Sequence, residues 1–457
     1  MAVILMIFVL VVVERHRYLF AIKRIDSLAS SFDFEEILRS RQANPQFKTL
    51  IVKFPQLFLD FSLGLKNHLP MRLSGILFFF ILSMSFSRLA SAYPDFIGYG
   101  YSSCLLCHFN GHGNGPLTDY GRGVFASEIV SKGYMDSKTT DDELSQSSGF
   151  LGKKPLPWWF RPGFKYRGLW FQSNPGSEQT MKKLIHMQAD ASLALLFDQD
   201  QKYAMVMSYG YYPVPANLKN DPNKPTEFLS REHYFRWMKN DNLTLFAGLM
   251  DKAYGIRIVD HTAYSRAKVG VAQNDQTYGV MAMYRKEPWE FTPHLFIGNL
   301  AQNSDQRQKG FSFMAERDIH QYFRLDGSFM MSENEYVNWT RMAAHSKYGY
   351  GKGNSLLTEA GLIMNKPKSG SGKTGGYGLA QSMALIKRGY FFLSQIEYYN
   401  QTLSTKSPDN LKWTFGLLAF PYLKTEFRLT VVNGRDLSDE SVVGDSWTIQ
   451  TQLHFSL

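Results

Sequence analysis

From about residue 160 to the C-terminus, apolar and polar residues alternate in runs of roughly ten positions. The clearest runs are Lys202 to Tyr212 (KYAMVMSYGYY), Asn242 to Met250 (NLTLFAGLM), Gly376 to Lys387 (GYGLAQSMALIK) and Gly389 to Gln401 (GYFFLSQIEYYNQ). Leu411 to Phe420, Lys424 to Asn433 and Ser446 to Leu457 complete the series. A period of two sends successive side chains to opposite faces of an extended chain, and Tyr, Phe, Trp and Thr suit that pleated surface. Turn residues punctuate the runs at Asp198-Gln199-Asp200, Ser304-Asp305, Lys387-Arg388-Gly389 and Asn433-Gly434. The pattern predicts strands, and no convincing helix interrupts them.

The two faces differ in kind. In the last run Trp447, Ile449, Leu453, Phe455 and Leu457 share one face, joined by Thr451, while Gln450, Gln452 and His454 take the other. An apolar outer face over a polar inner one, in strands of about 9–11 residues, is what an outer-membrane barrel requires. Closure also pairs every backbone group, as lipid demands. A soluble sandwich would fill its inner face with Val, Ile and Leu, and a propeller would show internal repeats. The expected fold is therefore a mainly β, outer-membrane antiparallel β-barrel of about 16 strands over 159–457, preceded by a small α-helical domain at 93–135 and a linker at 136–158.

The front of the chain reads as an export signal. Residues 71–92 are MRLSGILFFFILSMSFSRLASA, with basic Arg72, an apolar run from Ile76 to Met84, and small Ala90-Ser91-Ala92 at the cleavage position. That run is too short to span a bilayer, which takes roughly 20 residues. Cleavage is expected after Ala92, and residues 1–70 read as over-extended upstream translation. Export fits a Gram-negative cell outer membrane as destination.

Charge changes the picture little. The formal net charge is +10. Nine Lys/Arg against six Asp/Glu in residues 1–70, and two Arg in 71–92, leave +5 for the remainder, spread without a basic stripe. No nucleic-acid partner is expected.

There are only two cysteines, and both sit in one motif: Cys104-Leu105-Leu106-Cys107-His108. This is the attachment pattern of a c-type haem. Two thiols three positions apart meet the two vinyl groups on one edge of the porphyrin, and the next residue turns its imidazole to the iron as proximal ligand. A zinc site would want four ligands, and no second Cys pair exists. A thioredoxin-like pair would want a βαβ context, which the glycines after His108 do not offer. An inert disulfide is the remaining rival in an exported chain. For the sixth iron position the candidates are Met135 and His112. His112 would share a face with His108 on a continuing helix, so it reaches the far side only if Gly111 and Gly113 break the helix.

Gly115-Pro116-Leu117-Thr118-Asp119-Tyr120-Gly121-Arg122 follows the haem motif. With the export signal before it and the barrel after it, the chain resembles the outer-membrane monohaem cytochrome–porin fusions, among them iron oxidases of iron-oxidising bacteria. The resemblance implies one c-type haem in or against the barrel. It also implies a periplasmic electron carrier, an extracellular electron donor or acceptor, and outer-membrane lipid as partners. No acidic cluster near the motif marks an iron site, so architecture is implied rather than iron oxidation. The chain ends Phe455-Ser456-Leu457, where barrels of this kind usually end on an aromatic residue. A channel plugged by the haem domain, or sensed through it, is the alternative function, and a haem peroxidase or reductase a further one. Asp260-His261-Thr262 with Arg266 reads as a hydrogen-bonded loop, with lining of the lumen as the alternative, and Gly370, Gly372, Gly375 and Gly376 as a turn.

Overall fold

The computed structural model describes residues 94–457, apart from 114, 135–138, 153–155, 175–179, 212–227, 405–408 and 439–440. The export signal, the residues before it and Met135 lie outside the described residues. Among those described, no helix is long and apolar enough to cross a membrane; strands do the work here. Sixteen antiparallel strands close into one barrel, each paired with its chain neighbours and β1 paired with β16. They begin with β1 (Phe160–Ser173), β2 (Met181–Leu196), β3 (Tyr203–Tyr211), β4 (Phe228–Asn240) and β5 (Leu243–Met250). Then come β6 (Thr277–Lys286), β7 (Trp289–Gly298), β8 (Lys309–His320), β9 (Phe323–Glu333), β10 (Val337–Gly349) and β11 (Ser355–Pro367). The circuit ends with β12 (Lys373–Lys387), β13 (Tyr390–Asn400), β14 (Asp409–Tyr422), β15 (Thr425–Ser438) and β16 (Ser441–Ser456).

The barrel buries its polar residues and exposes its apolar ones. Along β7, Glu290, Thr292 and His294 are buried, while Leu295 and Ile297 are 61% and 59% exposed. The same inversion puts Glu397 at 0% and Ile396 at 52% on β13. Water would select the opposite arrangement, so the outer surface is built to meet hydrocarbon. At the seam, Leu457 N–H donates to Phe164 O (2.6 Å) and Phe164 N–H donates back to Leu457 O (3.0 Å). Leu457 thus joins the seam through its backbone.

The expected turn at Asn433-Gly434 is not one. Both residues lie inside β15, with Asn433 opposite Trp447 and Gly434 opposite Ser446. Unbroken alternation on either side gives the ladder partners that outweigh the local turn preference. Lys387-Arg388-Gly389 does form a tight turn, and Gly389 adopts a φ of +83° there.

The lumen is filled. Short turns occupy one end of the barrel, and longer connections, such as 251–276 between β5 and β6, the other. Residues 94–150 pack inside from the short-turn end. There Ser131 N–H reaches Phe420 O (3.0 Å), Arg388 reaches Val130 O (2.7 Å), and Lys424 reaches Gly149 O (2.8 Å). This segment shares its core with the barrel: Phe96, Phe125, Ile129 and Leu144 cluster with Met383, Phe391, Leu418 and Phe420 of the wall. At roughly 1.5–3 kcal/mol for each buried large apolar side chain, such packing holds the segment as a plug. Its helices are short, α1 (Asp119–Val124), continued by one wider turn to Ile129, and α2 (Asp141–Gln146). Helix α2 falls within the expected linker, with a reciprocal cap between Thr140 and Glu143 and Leu144 in the shared core. From the opposite end the 251–276 connection folds inward, placing Ile256 and Ile258 against Ile97 of the plug and Leu357 and Leu379 of the wall.

Candidate functional site

The Cys-His motif makes one tight turn. The N–H groups of Cys107 and His108 both donate to Cys104 O, at 3.2 and 2.9 Å. The helix stops there, because His108 forms a two-residue bridge with Leu117 and the chain turns back, Gly113 taking a φ of +77°. The break needed to release His112 from the face of His108 is present. The Gly-Pro-Leu-Thr stretch supplies the returning arm: Phe109 N–H donates to Pro116 O (3.2 Å) and Thr118 N–H to Cys107 O (2.9 Å). Thr118 then caps α1, accepting from Gly121 N–H at 3.0 Å, and its hydroxyl donates to Leu106 O at 3.2 Å. Gly121 is required for contact, since a Cβ there would lie 2.7 Å from the Cα of Cys107. Pro116, Leu117, Thr118 and Gly121 thus hold the Cys-His turn against the start of α1.

Wall residues clamp the plug from outside. Arg161 of β1 donates to both carboxylate oxygens of Asp119, at 2.9 and 2.7 Å. Lys165 donates to Gly115 O (2.8 Å), Asn110 to Glu232 of β4 (3.2 Å), and Arg324 of β9 to Ser102 O (2.9 Å). The Asp95 carboxylate accepts from Ser355 and Gln381, each at 3.0 Å. His112, 8% exposed, has its Nε2 at 3.2 Å from Met281 Sδ on β6.

Two cavities flank the motif. One, of about 750 Å³, is lined by Cys104, Cys107 and His112, by Met314 of β8, and by Arg324 and Lys347 of β9 and β10. The other, of about 700 Å³, is lined by His108 and His112. His112, Gly113 and Arg257 border both. Gly113 keeps the space beside the first thiol open, because a Cβ there would lie 3.2 Å from Cys104 Sγ.

Both thiols are free. Burial pushes Cys104 up to about 11 and Cys107 up to about 12. Redox-active pairs carry depressed values that favour thiolate, so this pair is unlike them. Among the described residues no group of three or more His, Cys, Asp or Glu is placed to hold a metal ion, which leaves a zinc site without ligands. The donor set is the one a c-type haem would use: two thiols and His112 border one cavity, and His108 and His112 border the other. The structure brings together Cys104, Cys107, His108 and His112.

Sequence comparison finds no matching family model and no matching curated protein. Solved structures do match. Outer-membrane protein OmpT of Vibrio cholerae aligns with a TM-score of 0.51 at 7% identity, covering 66% of this chain and 99% of that one. An anion-selective porin from Comamonas acidovorans aligns at 0.51 with 9% identity, covering 65% and 99%. OprB of Pseudomonas putida aligns at 0.50 with 6% identity, covering 66% and 94%. The fold is porin-like. At such identities the likeness concerns the barrel and carries no ligand or substrate.

Within the porin-like barrel, the wall groups facing the motif escaped the sequence reading. Met281, Met314, Arg324 and Lys347 are single inward positions on separate strands, and nothing local distinguishes them from other inward residues. Asp260 does hold its loop as expected, accepting from Thr262 N–H (2.9 Å) and Thr262 Oγ1–H (2.6 Å). His261 and Arg266 have a second role, lining the cavity beside His108.

Proposed function

We propose that the chain carries one covalent c-type haem on Cys104 and Cys107, with His108 as an iron ligand, inside an outer-membrane barrel, and conducts electrons across that membrane. The observation that carries this reading is the gathering of both thiols, His108 and His112 around two cavities that share His112, Gly113 and Arg257, inside a closed barrel. Bound there, the haem supplies one-electron chemistry at its iron. The chain's own residues do the rest. Cys104 and Cys107 fix the group, and His108 and His112 are the imidazoles in reach of it. The 251–276 connection and the plug exclude bulk water from the lumen.

Outer-membrane barrels keep short turns on the periplasmic side and longer loops outside. On that rule the plug faces the periplasm, where an electron carrier would dock. The inward-folded 251–276 connection then faces the extracellular donor or acceptor. A carrier at one end and a redox partner at the other would be separated by about 25–30 Å of apolar layer, which a group held mid-lumen divides into shorter steps.

The test is mass spectrometry of the chain purified from outer membranes, beside haem staining of the same band. The reading expects a mass heavier by one haem, lost in Cys104→Ala/Cys107→Ala. A haem-free chain from cells that mature other cytochromes would overturn it. The porin-like fold supports a second reading, a channel in which residues 94–150 act as a plug; ion conductance unaffected by redox reagents would favour it.

A further inference from the structure

Met281 of β6 stands opposite His294 of β7, and His294 stands opposite Ser312 of β8. All three side chains are buried, His294 and Ser312 with 1% exposure each. Facing partners across such a ladder have Cβ atoms about 4.5–5.5 Å apart. His112 of the plug reaches this row from the other side, its Nε2 at 3.2 Å from Met281 Sδ. A second thioether lies close by, since a Cβ on Gly111 would meet Met283 Sδ.

The polar members of the row are unanswered. Neither ring nitrogen of His294 has a hydrogen-bond partner among the described residues, nor does the Ser312 hydroxyl. Buried imidazoles and hydroxyls are nearly always hydrogen-bonded, and an exception calls for water or an ion. Water would satisfy Ser312, but it gains little from a thioether, which is only a weak acceptor. Thioethers and imidazoles together are instead the ligands that soft metal ions select. Two atoms each about 2.0–2.3 Å from one metal ion lie a little over 3 Å apart, which the separation of His112 Nε2 from Met281 Sδ matches. With two imidazoles and a thioether, the set does not suit zinc. We propose that His112, Met281 and His294 form a binding site for a soft monovalent metal ion, copper(I) by class. The haem reading also reaches for His112, and Nε2 can serve only one metal, so the site is tested without haem.

Copper(I) is the probe, kept reduced with ascorbate and titrated against a chromogenic chelator into the full Cys104→Ala/Cys107→Ala chain in detergent. This form lacks both the haem and the thiols that would themselves take copper(I). Circular dichroism verifies barrel assembly of each variant. The expected result is one tightly held equivalent, weakened about tenfold or more by Met281→Leu and by His294→Gln. X-ray absorption at the copper edge should show a sulfur neighbour whose signal Met281→Leu diminishes. Should one of these variants fail to assemble, the other decides. No stoichiometric binding, or binding that the substitutions leave unchanged, overturns the proposal and leaves a plain N–H···S hydrogen bond between His112 and Met281. Copper(I) held by the haem-free form but not by a haem-loaded chain upholds the site and places His112 at the iron. An unaltered chain that proves to carry no haem sinks the haem reading, and the copper(I) result stands or falls separately.

Discussion

His112 Nε2 lies 3.2 Å from Met281 Sδ, so a residue four positions after His108 is joined to the barrel wall. Cross-strand, Met281 faces His294 of β7, and Gly111 approaches Met283 so closely that a Cβ would sit 3.0 Å from its Cε. The wall therefore positions the imidazole that borders both cavities. On the proposed reading His112→Ala opens the sixth position: the ferrous protein should bind carbon monoxide and its spectrum should turn high-spin. Met281→Leu, which preserves volume, should leave the spectrum low-spin. Carbon monoxide binding to the unaltered chain would remove His112 from this role and favour a peroxidase or reductase.

Gly121→Ala should weaken the plug. The added Cβ meets the backbone of Cys107, which cannot move without disturbing the Cys-His turn. Overpacking of this kind costs about 1–3 kcal/mol, to be read as faster hydrogen exchange over residues 104–124. Gly123→Ala meets only the Ser145 hydroxyl at 2.7 Å, a flexible group, and should cost much less. Equal effects from the two variants would contradict the packing account.

Asp95 gives the docked plug a pH dependence. Burial raises its carboxyl above 3.8, against the hydrogen bonds from Gln381 and Ser355 that lower it. The folded state therefore holds this proton more tightly than the unfolded one. Stability from this group is full below about 3.8 and declines as pH rises through the window up to the raised value. Asp95→Asn should flatten that part of the melting curve and raise stability at neutral pH by about 1–3 kcal/mol. A steeper pH dependence in the variant would refute the assignment.

The inward connection should restrict ions. Glu359 of β11 anchors it, accepting from Ile256 N–H (2.6 Å) and from Tyr377 Oη–H (2.8 Å). Glu359→Ala leaves Ile256 N–H unanswered at about 1–3 kcal/mol, while Tyr377 keeps Tyr254 Oη at 3.2 Å, so conductance in planar bilayers should rise. Deleting residues 94–150 should raise it further. A full-length chain that already conducts like an open pore would show that neither element fills the lumen in solution.

The barrel was legible because lipid on one side and polar lumen on the other impose a period of two that survives without knowledge of partners. Lys202 to Tyr212, for example, was read nearly to the residue, and β3 runs Tyr203–Tyr211. Asn433-Gly434 misled because turn preference is local, whereas strand continuation depends on Trp447 and Ser446 across the ladder. The tight turn of the Cys-His motif was legible because its spacing is fixed along the chain. Its surroundings were not: Met281, Arg324 and Lys347 reach the motif only through barrel closure, so sequence distance hides them. The inner face also hid its apolar patches. Met383, Phe391 and Phe420 point inward because a plug, rather than water, lies beside them.

The central claim is electron passage across a membrane through this chain. The direct measurement places the purified chain in sealed vesicles with an electron acceptor dye inside and an impermeant reductant outside. The account predicts dye reduction that depends on the chain and disappears in Cys104→Ala/Cys107→Ala. Dye reduction at the same rate in that double variant, or none with the haem-loaded chain, would contradict it.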